Sequence, residues 1–84
     1  MAAQISPEER EMMKDAYRYL AQYIDPPASG TDEAATWWEA AARDAGLLVG
    51  GKWTNHSLIM QVMLGVYSYL EQKAKEATAR AQAL

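Results

Sequence analysis

The chain contains no cysteine and a single histidine among its 84 residues. Without cysteine it can form neither a disulfide framework nor a thiolate metal site, and one histidine cannot build a histidine-rich metal site. The absence of cysteine is compatible with a reducing cytosol. We therefore expect a protein that holds no metal and no other cofactor.

Long hydrophobic runs are also missing, and positive charge is scarce. No apolar stretch approaches the roughly 20 residues that span a bilayer, and the N-terminal sequence MAAQISPEER lacks the apolar region of a signal peptide. The net charge of −3 argues against nucleic acid as a partner. Residues 1–49 hold nine acidic and four basic residues, a net of −5, whereas residues 50–84 carry a net of +2. Ordinary solvated helix faces explain this asymmetry most simply, although it would also favour head-to-tail self-association.

The hydrophobic periodicity predicts an all-α fold of a single domain, residues 1–84, with three helices. The predicted helices cover about residues 6–24, 31–45 and 55–82, and the C-terminal end of the third is expected to fray. The third helix is much longer than the other two and is apolar around roughly two-thirds of its circumference, which is typical of a buried helix. We therefore predict a three-helix bundle with a long, largely buried C-terminal helix.

The first predicted helix has a clear start signal and an amphipathic pattern. Ser6-Pro7 followed by Glu9 is a capping box with proline at the first helical position. On a helical wheel the apolar side chains form one arc that should face the core, and Asp15 falls on the opposite, polar side. The arc consists of Met12, Met13, Ala16, Tyr17, Tyr19, Leu20, Tyr23 and Ile24.

The stretch GLLVGGKWTNH, residues 46–56, joins the second and third predicted helices and resembles a phosphate-binding loop. The motif requires Gly-x4-Gly-Lys followed by serine or threonine, and Gly46, Gly51 and Lys52 supply its first part. Trp53 stands where the hydroxyl residue is needed, and a helix rather than a β-strand precedes the loop. A nucleoside triphosphatase is therefore excluded as the main interpretation.

We interpret this stretch as the joint between two helices. Gly46 is predicted to end the second helix, residues 47–49 to enter the core, and the glycine pair at 50–51 to reverse the chain. Thr54 or Asn55 is expected to cap the third helix.

The start of the third helix leaves a weaker anion site open. Lys52 and His56 lie beside it, and the free N–H groups of any helix N-terminus attract anions. A histidine in a first helical turn is more often structural, and no residue is in position to act with His56 in catalysis. We expect no enzyme, and a nucleotide- or small-anion-sequestering oligomer is an alternative function.

The aromatic residues favour a binding surface. The chain has three tryptophans, five tyrosines and no phenylalanine, and tryptophan and tyrosine are enriched at binding hot spots. Trp37 and Trp38 are adjacent, and a small three-helix core can hardly bury both. Trp38 lies in line with a row of alanines and is assigned to the core. Trp37 and Trp53 are then the interface candidates, followed by Met60 and Tyr67 on the far side of the third helix.

Four features within about residues 17–73 carry a family resemblance. They are the Asp-Pro-Pro turn at 25–27, the double tryptophan at 37–38, the Asn-His pair at 55–56 and the Tyr-Leu-Glu-x-Lys run at 69–73. With these features the chain resembles small uncharacterised proteins encoded by prophages and mobile elements of gut Firmicutes. The resemblance implies the cytoplasm of a bacterial host and binding to host proteins or nucleic-acid machinery. It carries over no functional residues.

Together these observations predict a non-enzymatic, helical protein-binding module. The resemblance suggests an inhibitor or modulator of a bacterial host complex. Because two shorter helices cannot cover a long one that is apolar on so many sides, we also predict self-association, with a dimer favoured. A purely structural oligomer is a further alternative, and a membrane partner is not expected, since the polar face of the first helix is more acidic than basic.

Overall fold

Three α-helices form the protein in a computed structural model that describes residues 4–83. Helix α1 spans Pro7–Gln22, α2 spans Asp32–Gly46 and α3 spans Ser57–Ala83, and a π-helical segment, Leu47–Lys52, directly continues α2. Within residues 4–83 there is no β-strand, and the predicted all-α three-helix bundle is confirmed. The predicted helix bounds lie within two residues of the observed ones. In the same part of the chain, no helix has the length and apolar character needed to cross a bilayer.

The starts of α1 and α2 follow from local sequence. The Ser6 hydroxyl accepts the Glu9 N–H at 3.0 Å, and the Glu9 carboxylate accepts the Ser6 N–H at 2.9 Å, which completes the predicted capping box. At α2, the Thr31 hydroxyl accepts the Ala34 N–H at 2.9 Å. Each cap satisfies N–H groups that have no partner within the helix.

The α-helix ends at Gly46, as predicted, but this glycine does not stop the helical path of the chain. Gly46 keeps helical dihedral angles, with φ −62° and ψ −41°, and the chain then widens into the π-helical segment. The Trp53 N–H donates to the carbonyl of Leu48, five residues earlier, at 3.2 Å. The widened turn brings Leu48 and Val49 against the core, as expected, but leaves Leu47 64% exposed, which contradicts the prediction for that residue.

The chain reverses after the glycine pair, not at it. Thr54 and Asn55 have φ values of 50° and 60°, in the left-handed region that β-branched residues such as threonine rarely adopt. The Asn55 N–H donates to the Val49 carbonyl at 2.7 Å and closes the turn. Because both residues are left-handed, neither has the extended conformation of a helix cap. His56 caps α3 instead, since its Nδ1 accepts the Leu58 N–H at 3.1 Å.

The core lies mainly between α1 and α3, and α2 joins it through aromatic side chains. The Tyr19 hydroxyl donates to the buried carbonyl of Ala41 at 2.8 Å. Successive aromatic rings lie 4.7–5.5 Å apart from α1 through α2 to α3, in the order Tyr19, Tyr23, Trp37, Trp38 and Tyr67. The buried cluster consists of Met12, Ala16, Tyr19, Tyr23, Ala41, Ile59, Met63 and Leu70.

Part of the predicted apolar arc of α1 faces solvent. Tyr17 is 72% exposed and Met13 46% exposed, whereas Asp15, predicted to be solvated, is only 8% exposed. The contact face is rotated toward Tyr19 and Tyr23, whose hydroxyl groups both find partners on α2. A hydroxyl with a partner makes burial of a tyrosine favourable.

Helix α3 is long, but a single chain buries only one stripe of it, so the predicted extensive burial does not hold within one copy. Ile59, Met63, Leu70 and Ala74 are its buried residues, while Leu64 is 71% exposed. The physical reason is that α1 is the helix that packs along α3, whereas α2 reaches α3 mainly through side chains such as Trp38, which lies against Tyr67. The molecule measures 55 × 27 × 16 Å, and its radius of gyration of 15.0 Å exceeds the roughly 12 Å of a compact chain of this length.

Candidate functional site

An open apolar groove runs between α2 and α3 on the side away from α1. Its volume is about 390 Å³, and no residue of α1 lines it. We call it the α2–α3 groove. Its lining consists of Ala42 and Ala45 of α2, Val49 of the π-helical segment, and Met60, Met63, Leu64, Tyr67 and Glu71 of α3.

The two walls of the groove differ in side-chain size. Ala42 and Ala45 make the α2 wall low, because alanine reaches only one carbon beyond the backbone. On the α3 wall, Met60 is 42% exposed and Leu64 is 71% exposed. Large apolar side chains thus face a wall of small ones across the groove and remain open to solvent. Such a surface marks a site where another molecule binds or where the chain aggregates.

The groove continues along α3 into a second, more polar depression. This depression has a volume of about 350 Å³ and shares Tyr67 and Glu71 with the groove. Trp38 and Lys75 also line it. Burial, reinforced by the charge of Glu71, raises the pKa of Tyr67, so its hydroxyl stays protonated at neutral pH. From Met60 to Lys75 the combined surface extends over roughly 22 Å, at about 1.5 Å per helical residue.

Two of the predicted interface residues therefore lie in the groove, and one further residue was missed. Met60 and Tyr67 both line it, and whether they bind a partner stays a prediction. Leu64, the most exposed large side chain of the groove, was not singled out. The sequence feature that indicates an exposed Leu64 is its position at the edge of the apolar arc of α3, next to the polar side of the helix.

The two adjacent tryptophans pack against different parts of the fold. Both are half-buried and pack against the core. Trp37 lies against Tyr23, the residue after α1, with ring centroids 5.3 Å apart, and therefore fills space between the end of α1 and α2. Trp38 lies against Tyr67 at 5.5 Å and lines the polar end of the groove. The packing of Trp38 against the core agrees with its assignment, and an interface role for Trp37 stays a prediction.

Trp53 is held inward by a buried carboxylate. Its Nε1–H donates to Asp15 Oδ2 at 2.9 Å, and Lys52 Nζ lies 2.8 Å from the same oxygen. Arg18 reaches the other oxygen of Asp15 at 3.2 Å. Burial alone would raise the pKa of Asp15, but these hydrogen bonds and charges outweigh it and lower the pKa below its ordinary value. Trp53 is half-buried, so it is not displayed at the turn as predicted.

The two residues of the suggested anion site both face carboxylates. Lys52 pairs with Asp15, and His56 Nε2 lies 3.8 Å from Glu8 Oε1. His56 Nδ1 already accepts the N–H of Leu58 at the start of α3. These acidic neighbours lower the affinity of the region for an anion.

No group of three or more histidine, cysteine, aspartate or glutamate residues within 4–83 is arranged to hold a metal ion.

Another carboxylate is engaged between α1 and α2. The Tyr23 hydroxyl donates to Asp44. That bond, with burial and the negative charge of Asp44, raises the pKa of Tyr23. Asp44 also approaches Arg43, at 3.6 Å. Asp15 and Asp44 thus connect elements of the fold, and neither lines the α2–α3 groove.

Comparisons with known proteins add no relative: no protein-family model matches the sequence, and neither a curated protein nor a solved structure matches it significantly. The resemblance to prophage-encoded proteins therefore stays a prediction.

Proposed function

We propose that the protein is a non-enzymatic protein-binding module that takes an amphipathic helix of a partner into the α2–α3 groove. The observation that carries this proposal is the groove itself, in which Leu64 and Met60 are exposed beside a wall of alanines. Burial of apolar surface stabilises a complex by about 25 cal/mol per Å² before the costs of association. An exposed leucine that lines a groove, such as Leu64, is a natural anchor for such burial.

The shape of the surface favours a helix as the bound element. The combined groove and depression offer roughly 22 Å, the length of about 15 helical residues. Helices that bind in grooves use apolar anchors at positions i, i+3 or i+4, and i+7. The low wall of Ala42 and Ala45 allows the backbone of the incoming helix to approach closely. The polar end, with Glu71 and Lys75, would accept its charged residues.

The identity of the partner rests on the resemblance. Small prophage proteins of this kind commonly bind host machinery, so we propose a protein of a bacterial host complex as the partner, and an inhibitory or modulating role. This part of the proposal is an analogy with other proteins and not a result of the geometry.

The test compares proteins captured from a host lysate by three purified forms of the chain. Leu64→Glu places a charge in the groove. Tyr69→Glu makes the same change at a residue that is 50% exposed on the same helix but lies outside the groove. We expect a partner that is retained by the unmodified protein and by Tyr69→Glu and is lost with Leu64→Glu. A partner lost equally with both variants, or retained by both, would contradict binding in the groove.

The anion-sequestering alternative is weakened by the acidic neighbours of Lys52 and His56, and we do not propose it. The structural-oligomer alternative has support of its own, because the chain exposes more surface than a compact monomer. The excess exposed surface also helps to identify the helix that fills the groove in the purified protein.

A further inference from the structure

We infer that the helix that fills the α2–α3 groove in the purified protein is α3 of a second copy, placed antiparallel across a two-fold axis near Leu64. The inference rests on the proposed function in one respect, since it assumes that the groove takes a helix. It goes further by naming that helix. In the resulting assembly, α2 and α3 of two copies form a four-helix bundle, and each α1 covers it from outside.

The exposed area supports a second copy as the occupant. The chain exposes 5963 Å², whereas a folded monomer of 9.3 kDa is expected to expose about 5,000 Å². The excess of roughly 1,000 Å² is similar to the approximately 800 Å² that each partner buries in a stable complex of standard size. The projecting C-terminal end of α3 contributes part of this excess, and the groove contributes apolar surface to it.

The two walls of the groove complement each other across a two-fold axis. In a two-fold dimer the same patch is used twice, so it must be complementary to itself. Here Met60 and Leu64 form a high wall, and Ala42 and Ala45 form a low one. Rotation about an axis near Leu64 places the high wall of each copy over the low wall of the other. Large side chains then fill the space above small ones on both sides of the axis.

Charge favours the antiparallel orientation. Residues 50–84 carry a net charge of +2, and residues 1–49 carry a net of −5. An antiparallel α3 directs its basic C-terminal half, with Lys75 and Arg80, toward the end of the partner at which α1 begins. Glu8 lies at that end, beside His56. A parallel arrangement would instead align the basic halves of the two α3 helices and the negative C-terminal ends of their dipoles.

Sedimentation equilibrium of the purified protein tests the inference. We expect a dimer with a dissociation constant in the micromolar range or below. Leu64→Glu should raise this constant at least about tenfold, because a charge would be buried without a partner near the axis. Tyr69→Glu, outside the groove, should change it less than about twofold. Circular dichroism at 222 nm would show that both variants keep their helical content.

A cross-linking experiment keeps the inference testable if the glutamate variant does not fold. Because the chain has no cysteine, Leu64→Cys introduces a single thiol near the axis, and Tyr69→Cys introduces a matched one away from it. Mild oxidation should convert most of Leu64→Cys into a disulfide-linked dimer and leave Tyr69→Cys mainly uncross-linked. Equal cross-linking of the two variants, or preferential cross-linking of Tyr69→Cys, would overturn the proposed geometry.

The outcomes separate the inference from the proposed function. A protein that stays monomeric up to about 1 mM overturns the inference, while Leu64-dependent capture of a host protein would still support the function. A Leu64-dependent dimer that captures no host protein supports the inference and contradicts the proposed function. In that case the protein is a structural oligomer.

Discussion

Replacing Asp15 with alanine should lower the free energy of unfolding by about 2 kcal/mol. Asp15 is 8% exposed and receives donors from Trp53, Lys52 and Arg18. Through these contacts it ties α1 to the end of the π-helical segment. The substitution removes the acceptor and leaves all three donors without it.

The magnitude depends on how well each donor can return to water. The side chains of Lys52 and Arg18 are 55% and 69% exposed, so each is rehydrated easily and its loss should cost less than about 1 kcal/mol. The half-buried N–H of Trp53 is different, since a lost hydrogen bond to a charged group costs about 1.5–3 kcal/mol. Alanine favours the helix by roughly 0.5 kcal/mol relative to aspartate, which offsets part of the loss.

Urea unfolding followed at 222 nm would measure the effect, at one fixed protein concentration because association also stabilises the fold. Glu11→Ala is the control, since it removes an acid from the same helix that is 49% exposed and pairs with the exposed Lys14 at 3.3 Å. We expect a change below about 0.5 kcal/mol for the control. Equal losses in the two variants, or a loss below about 0.5 kcal/mol for Asp15→Ala, would refute a structural role for the buried carboxylate.

Four further changes follow from the structure. Burial alone would raise the pKa of Asp15, but the hydrogen bonds from Lys52 and Trp53 lower it below its ordinary value of 3.8. The ionised carboxylate therefore stabilises the fold above about pH 4, and this stabilisation is lost as the pH falls further. Below about pH 4 the Tm of the unmodified protein should accordingly fall more steeply than the Tm of Asp15→Asn. Tyr19→Phe removes a buried 2.8 Å hydrogen bond and should cost about 1 kcal/mol in urea unfolding, where no change would contradict that bond. His56→Ala removes the cap of α3 and should cost about 1 kcal/mol, whereas His56→Asn should retain most of the stability. Gly65→Ala should raise stability by about 0.5–1 kcal/mol, because no heavy atom lies within 4 Å of the added carbon; destabilisation would indicate that this position of α3 must stay small.

The sequence predicted only some of the residues that line the groove. The apolar arc of α3 correctly included Met60 and Tyr67, which the structure places in the groove. The arc could not show that Leu64 stays open while Met63, its neighbour, is buried. That difference depends on where α2 lies relative to α3. For the same reason, the sequence did not indicate that Trp38 lines the polar depression next to the groove and that Trp37 packs against Tyr23.

The sequence alone determined the three helices, the capping box at Ser6 and the cap at Thr31. Periodicity and caps are local properties, set by residues a few positions apart. Only the tertiary structure decided that Asp15 is buried, that α2 continues as a π-helix beyond Gly46, and that one side of α3 stays uncovered. Each of these depends on residues distant in the chain, such as the donors Lys52 and Trp53 that make burial of Asp15 favourable. A local pattern shows which side chains can be buried, and the packing of the helices decides which of them are.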